Sequence, residues 1–224
     1  MEFDIEYERM ERRNKVRKVF GYIIRWAIAL VLAVLAGWAV INFCVEKTNM
    51  VGDSMNITLE NDDIILINKL SYVRDNPKRF DVIVFEKSGT EHSYYGIQRV
   101  IGLPGEKIQI VDGVIYINGK ELVEPMEVEP MEMAGLAGRE MTLDEDEFFV
   151  LGDNRNHSED SRFTTVGNVV KSEIIGKAWI RTNKFSFISS VNMPNKKAAD
   201  AAAKEMSGQS AEIDDGSEDD KQDE

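Results

Sequence analysis

The 224-residue chain has one cysteine, Cys44, and two histidines, His92 and His157. A single cysteine excludes an intrachain disulfide framework and a cysteine-based zinc site. The spacing of the two histidines suggests no metal centre, and no cofactor is expected. Positive charge is also short: 27 Lys and Arg stand against 40 Asp and Glu, a formal net charge of −13. That balance argues against nucleic acid as a partner. The deficit is uneven. From Lys204 to Glu224 nine acids face two lysines, with no apolar periodicity, so the end of the chain (195–224) reads as a disordered acidic tail.

Long uncharged runs are absent too, with one exception. Trp26–Val45, "WAIALVLAVLAGWAVINFCV", carries no charge. A helix of that length covers about 30 Å, the thickness of a bilayer's hydrocarbon core. The expectation is a membrane anchor over 21–45, preceded by a basic segment over 1–20. The flank holds Arg9, Arg12, Arg13, Lys15, Arg17 and Lys18, with Arg25 at the edge. Such a flank keeps the N-terminus in the cytoplasm, so the rest of the chain lies outside a single-pass plasma membrane anchor. A cleaved signal peptide fits poorly. The apolar run is too long and "FCVEKTNM" offers no small-x-small cleavage site.

Residues 46–194 have the size of one domain and no convincing long helical period. "DDIILINKL" (62–70), "FDVIVFEK" (80–87), "DEFFVLGDN" (146–154) and "EIIGKAWIRT" (173–182) read as strands. In "EKIQIVDGVIYINGKELV" (106–123), Asp112-Gly113 is a two-residue hairpin turn and Asn118-Gly119 starts a second. The fold class expected is mainly β: an antiparallel coiled sheet, barrel-like to limit bare edges, with a small hairpin insertion over about 106–146. "VEPMEVEPMEMAGLAGRE" (123–140) reads as a mobile loop or an edge.

Three further segments carry chemistry: "MVGDSMNITLENDD" (50–63), "GIQRVIGLPGE" (96–106) and "LGDNRNHSEDSRFTTVGNV" (151–169). In this order, behind one N-terminal anchor, they resemble the type I signal peptidases, membrane-anchored serine peptidases with a Ser–Lys dyad. The resemblance runs from the anchor to about Thr182 and is closest to the Gram-positive branch. It implies that Ser54 is the nucleophile, with its own backbone N–H as an oxyanion donor. Met55 matches an apolar substrate-binding residue. Ser158 matches the hydroxyl that orients the base, Asp160 and Arg162 a structural ion pair, and Asp153 another member of the supporting box. The implied activity is removal of signal peptides from exported preproteins after a small-x-small motif, at the surface of a lipid bilayer.

Position 98 departs from the pattern. The family's general base is a lysine there, active because burial lowers its pKa. This chain has Gln98, which donates and accepts hydrogen bonds but cannot take a proton from Ser54. A smaller departure is Ile57, where the family usually has proline. Arg99 stays protonated and points to the opposite face of its strand; Lys69, Lys87 and Lys107 belong to other segments. His157, beside Ser158, is the less implausible substitute of the two histidines. The alternative to a peptidase is therefore a catalytically silent homologue that binds signal-peptide or pilin-like clients as an assembly factor.

Overall fold

The computed structural model describes residues 2–87, 94–188, 195, 197–199 and 201–204. His92 and residues 205–224, the bulk of the expected acidic tail, lie outside the described residues. The chain divides into two units, Met1–Val45 and Glu46–Glu224.

The first unit is a single helix, α1 (Glu2–Cys44). It runs through the basic segment and the apolar run without a break, and ends one residue before the expected anchor does. The stretch Lys18–Trp38 is long and apolar enough to cross a membrane, and none of it is buried against protein. In water such a surface would be costly; in hydrocarbon it needs no protein partner.

The second unit is mainly antiparallel β. Its strands are β1 (Val45–Asn49), β2 (Ile64–Asn68), β3 (Val82–Lys87), β4 (Tyr94–Gly102), β5 (Lys107–Val111), β6 (Val114–Ile117), β7 (Lys120–Glu121), β8 (Met141–Thr142), β9 (Glu147–Leu151), β10 (Val169–Val170), β11 (Ile174–Arg181) and β12 (Ser186–Phe187). One sheet has the order β1-β2-β11-β3-β4-β9-β10, with β12 on β11. The expected mainly β, antiparallel fold is found; the sheet is open at β1 and β10, with no closed barrel among the described residues. The short β10 and the polar β1 leave little bare apolar edge, which serves the purpose closure would have served. The second sheet, β7-β6-β5-β8, lies in sequence between β4 and β9. Its turns are Asp112-Gly113 and Asn118-Gly119, all four residues at positive φ, the geometry a two-residue hairpin demands.

Alternation distributes side chains to the cores on either side of the main sheet. On β4, Ile97 joins Met50, Met55, Leu59, Ile65, Ile67, Val82 and Val84. Val100, on the other face, joins Ile83, Phe85, Phe148 and Val150. Ile101, Phe149 and Leu151 pack with the hairpin sheet residues Ile108, Ile110, Ile115 and Ile117. The segment expected to be a mobile loop or an edge is packed down: Met126, Met131 and Ala137 are buried. Its apolar residues supply the burial that its prolines and acids obscure. The chain after 194 also begins with structure rather than tail. The Asn195 N–H donates to the Pro125 carbonyl, and Ala199 is buried in the core of the hairpin sheet with Ala203 packed against it.

Candidate active site

Ser54 sits in a tight turn just after β1. Gly52 enters it at φ +84°, a conformation that suits glycine, and its N–H donates to Asn61 Oδ1 at 2.8 Å. Asn56 N donates to Asp53 O at 3.0 Å and Thr58 N to Met55 O at 2.7 Å, so the backbone coils once around Ser54. The Ser54 N–H makes no hydrogen bond to another described residue, which leaves it free to meet a developing oxyanion.

The box from Gly152 to Arg162 is laid directly against this turn. The Ser54 carbonyl accepts from Asn154 N at 3.0 Å, and the Asp53 carbonyl accepts from Asn154 Nδ2 at 3.0 Å. Gly152 makes the approach possible. A Cβ at that position would lie 2.1 Å from Ser158 Oγ and 2.6 Å from the Ser54 carbonyl oxygen, so Ser54 and Ser158 are brought together around a residue that cannot carry a side chain.

Buried ion pairs hold the box. Asp160 accepts from Arg162 Nε and Nη2, both at 2.8 Å, and from Gly152 N at 3.2 Å. Arg162 also holds the Arg155 carbonyl. Asp153 is fully buried and receives Arg99 Nε and Nη2 at 2.7 Å each, together with the Thr58 hydroxyl at 2.5 Å. Charges removed from water are tolerable only when paired in this way. Arg99 and Thr58 are thus supporting residues that the sequence reading missed. A readable signal was present: an arginine flanked by Val100 and Ile101 in a strand must find an anion. The pair of Arg155 with Glu124 was likewise missed. Burial acts to lower the Arg155 pKa, but the Glu124 carboxylate, helped by Asp153 and Asp160, outweighs it and keeps the guanidinium charged.

Gln98 lies on β4 where that strand changes partners. β4 pairs with β3 from Tyr94 to Arg99, and with β9 only from Arg99 to Gly102. On the side away from β3, Tyr95–Gln98 has no strand partner among the described residues. A cleft of about 650 Å³ opens along this edge. Met50, Val51, Ser54, Ile97 and Gln98 line it, with Tyr95, Glu86 and Glu159. Ser54 and Gln98 therefore share one cleft.

Ser54 and Gln98 are not joined through the Gln98 oxygen. Gln98 Nε2 donates to the Glu159 carbonyl, and the buried Oε1 accepts from no protein group. The buried Ser158 hydroxyl has no protein partner either. Met55 is also placed differently from expectation. It is fully buried in the core, its sulfur receiving Asp153 N at 3.4 Å, because the turn that exposes Ser54 rotates the next side chain inward. Met50, Val51 and Ile97 form the apolar wall instead. No lysine or histidine lines the cleft among the described residues. Lys69, Lys87 and Lys107 pair with Glu46, Glu173 and Glu140, and His157 is exposed at the end of a short 3₁₀ turn. Among the described residues no cluster of three or more His, Cys, Asp or Glu could hold a metal ion.

Comparison with known proteins places the chain in a family. A family model described as signal peptidase, peptidase S26, matches residues 23–182. The chain is 34% identical over 192 residues to a signal peptidase I P of Bacillus subtilis subsp. natto, covering 83% of this chain and 99% of that protein. It is 38% identical over 169 residues to a signal peptidase I of Bacillus caldolyticus, covering 70% of this chain and 87% of that one. A solved signal peptidase I from Enterococcus faecalis matches at 32% identity and a TM-score of 0.35, over 46% of this chain and 97% of the solved one.

Proposed function

The chain belongs to the signal peptidase family, peptidase S26, and from that premise we propose that its Ser54 cleft receives signal-peptide-bearing preproteins but does not cut them by the Ser–Lys route. The observation that carries this reading is the shared cleft: Ser54 and Gln98 line one groove along an unpaired strand edge. An extended client segment adds to such an edge through main-chain hydrogen bonds, while shallow apolar walls select small side chains. Ser54 then lies beside the client backbone, with its own N–H available for the carbonyl oxygen.

Hydrolysis in this family's manner needs a base that takes the Ser54 proton as Oγ attacks and returns it to the departing amine. Gln98 has no proton-accepting function at physiological pH. Its Nε2 is committed to the Glu159 carbonyl, so it holds the box against β4 rather than activating Ser54. The chain as it stands is a client-binding member of a peptidase family. We place it in the membrane through α1, N-terminus in the cytoplasm and β domain outside, on the strength of the basic flank. Protease added to right-side-out vesicles should spare residues 1–20; their loss would reverse the orientation.

The deciding experiment is a precursor-cleavage assay in detergent on the unaltered chain, Gln98→Lys, and Gln98→Lys with Ser54→Ala. Cleavage by the lysine variant alone is the expected result. Ser54-dependent cleavage by the unaltered chain would overturn the silent reading.

A further inference from the structure

The cleft's charge has a single sign. Its ionisable walls include two carboxylates, Glu86 and Glu159, and no lysine, arginine or histidine. Neither carboxylate makes an ion pair with another described residue, although Lys87, next to Glu86, pairs with Glu173. The third uncommitted acceptor is the amide oxygen of Gln98. That side chain is 4% exposed, lines the same cleft, and receives no hydrogen bond at its oxygen. One buried acceptor without a donor and two carboxylates without an ion-pair partner along one groove suit a cationic ligand.

The register shows which kind of cation fits. Glu86 on β3 is directly opposite Tyr95 on β4, and Ile83 is opposite Gln98. Directly opposed residues project to the same face and lie within about 5.5 Å of each other. Glu86 and the half-exposed Tyr95 ring thus form one patch, three residues along β4 from Gln98. Three residues of strand span about 10 Å, too far for one metal ion to bridge the two ends. An extended peptide has the same repeat. A client strand on the β4 edge with one residue level with Gln98 has the residue three positions away level with Tyr95. An offset of three puts those two side chains on opposite faces, as Gln98 and Tyr95 are.

We infer that Glu86 and Tyr95 form a specificity subsite for a lysine or arginine of the client, three residues from the client residue that lies at Ser54. The carboxylate pairs with the cation and the tyrosine ring offers its face to it. Glu159, at the other end, extends the negative potential over the groove and favours basic clients in general. This subsite rests on the proposal that the cleft takes an extended client segment.

The test uses the full-length chain in a neutral detergent and fluorescein-labelled ten-residue peptides with Ala-x-Ala at the centre. Lys, Gln or Glu is placed three residues from the second alanine, on its N-terminal side in one series and its C-terminal side in the other. Binding is read by anisotropy at low salt. In one of the two series the Lys peptide is expected to bind roughly tenfold tighter than the Glu peptide. In Glu86→Gln that preference should shrink to about twofold, with the Gln peptide unchanged. An equal preference in Glu86→Gln, or none in either series, overturns the subsite while leaving the cleft reading intact. Failure of even the Gln peptides to bind overturns the cleft reading and the subsite with it. Superimposable circular dichroism melts for the two proteins exclude unfolding as the cause.

Discussion

Asp153 and Gln98 are both buried, and both stand next to the Ser54 turn, yet their surroundings differ. Asp153 receives two bonds from Arg99 and one from Thr58, and Asp160 nearby is served by Arg162 and the Gly152 N–H. Gln98 has one bond, and its oxygen has none; Ser158, two residues from Asp160, has a buried hydroxyl with no protein partner. The ion pairs of the box are fully made, and the Gln98 oxygen and the Ser158 hydroxyl are the groups left short of partners. Under the reading proposed above, the difference separates the architecture of the site from its proton chemistry. The ion pairs are held in place by the cost of breaking them, whereas position 98 can lose its charge without loss of the fold.

The most severe way to break this contrast is to restore the charge. In Gln98→Lys the ammonium is placed beside the Glu159 carbonyl in the cleft that Ser54 lines, and burial lowers its pKa toward the range where it can act as a base. General-base catalysis contributes about 10²–10⁴ in rate, so cleavage of a preprotein should rise by at least about 10² over the unaltered chain and fall back with Ser54→Ala. A lysine variant no more active than its parent would mean that the frame has also drifted.

The next effect is on stability. Replacing Arg99 with leucine leaves the Asp153 carboxylate buried with only Thr58 for a partner. Losing one side of a buried pair costs roughly 3–5 kcal/mol, enough to lower the denaturant midpoint of the full-length chain markedly. Gln98→Leu, one register step away, gives up a single neutral bond and should cost about 0.5–1.5 kcal/mol. Equal losses in the two variants would dissolve the distinction between frame and empty position.

Much of this was legible in the chain, and the reasons differ by region. The hairpins followed from Asp112-Gly113 and Asn118-Gly119, because a two-residue turn at positive φ admits few other residues. The strands of the main sheet followed from runs such as "FDVIVF". β1 was hidden because Val45 continues an apolar run and "EKTN" has no strand alternation; its partner, β2, supplies the structure. The depth of Met55 was not legible, since a turn's rotation cannot be read from spacing. Nor was the Arg99–Asp153–Thr58 network, whose members are far apart in sequence and meet only when β4, β9 and the Ser54 turn pack. Gln98 was visible as a departure, but its attachment to a carbonyl of the box was not.

A smaller change sharpens the comparison from the side of the unpaired groups. Ser158→Ala removes a buried hydroxyl that bonds to nothing in the protein, so it should leave stability within about 1 kcal/mol of the parent or raise it slightly. In the Gln98→Lys background the same substitution should reduce cleavage, because the hydroxyl then has an amine to orient. A large destabilisation in the parent chain would show that Ser158 already has a structural task.

The smallest effect belongs to a satisfied acid on the far side of the turn. Asp63 is 1% exposed and accepts from Glu60 N at 2.8 Å, Arg181 Nη1 at 3.1 Å and Asn183 Nδ2 at 2.7 Å. Burial pushes its pKa up, but the bonds from Asn183, the Glu60 backbone and Arg181, with the Arg181 charge, outweigh burial and hold it below the ordinary 3.8. A carboxyl whose folded pKa is depressed binds its proton more readily in the unfolded chain. Its stabilisation is therefore fully present above pH 3.8 and is lost as pH falls from there through the folded value. Denaturant midpoints of the unaltered chain should decline over that acid window more steeply than those of Asp63→Asn, and the two slopes should be equal near neutral pH. Gln98 and Ser158 have no charge to titrate there, so Ser158→Ala should follow the unaltered chain's pH curve at a constant offset. Parallel curves for Asp63→Asn and the parent would show that the bonds to Asp63 do not distinguish carboxylate from amide.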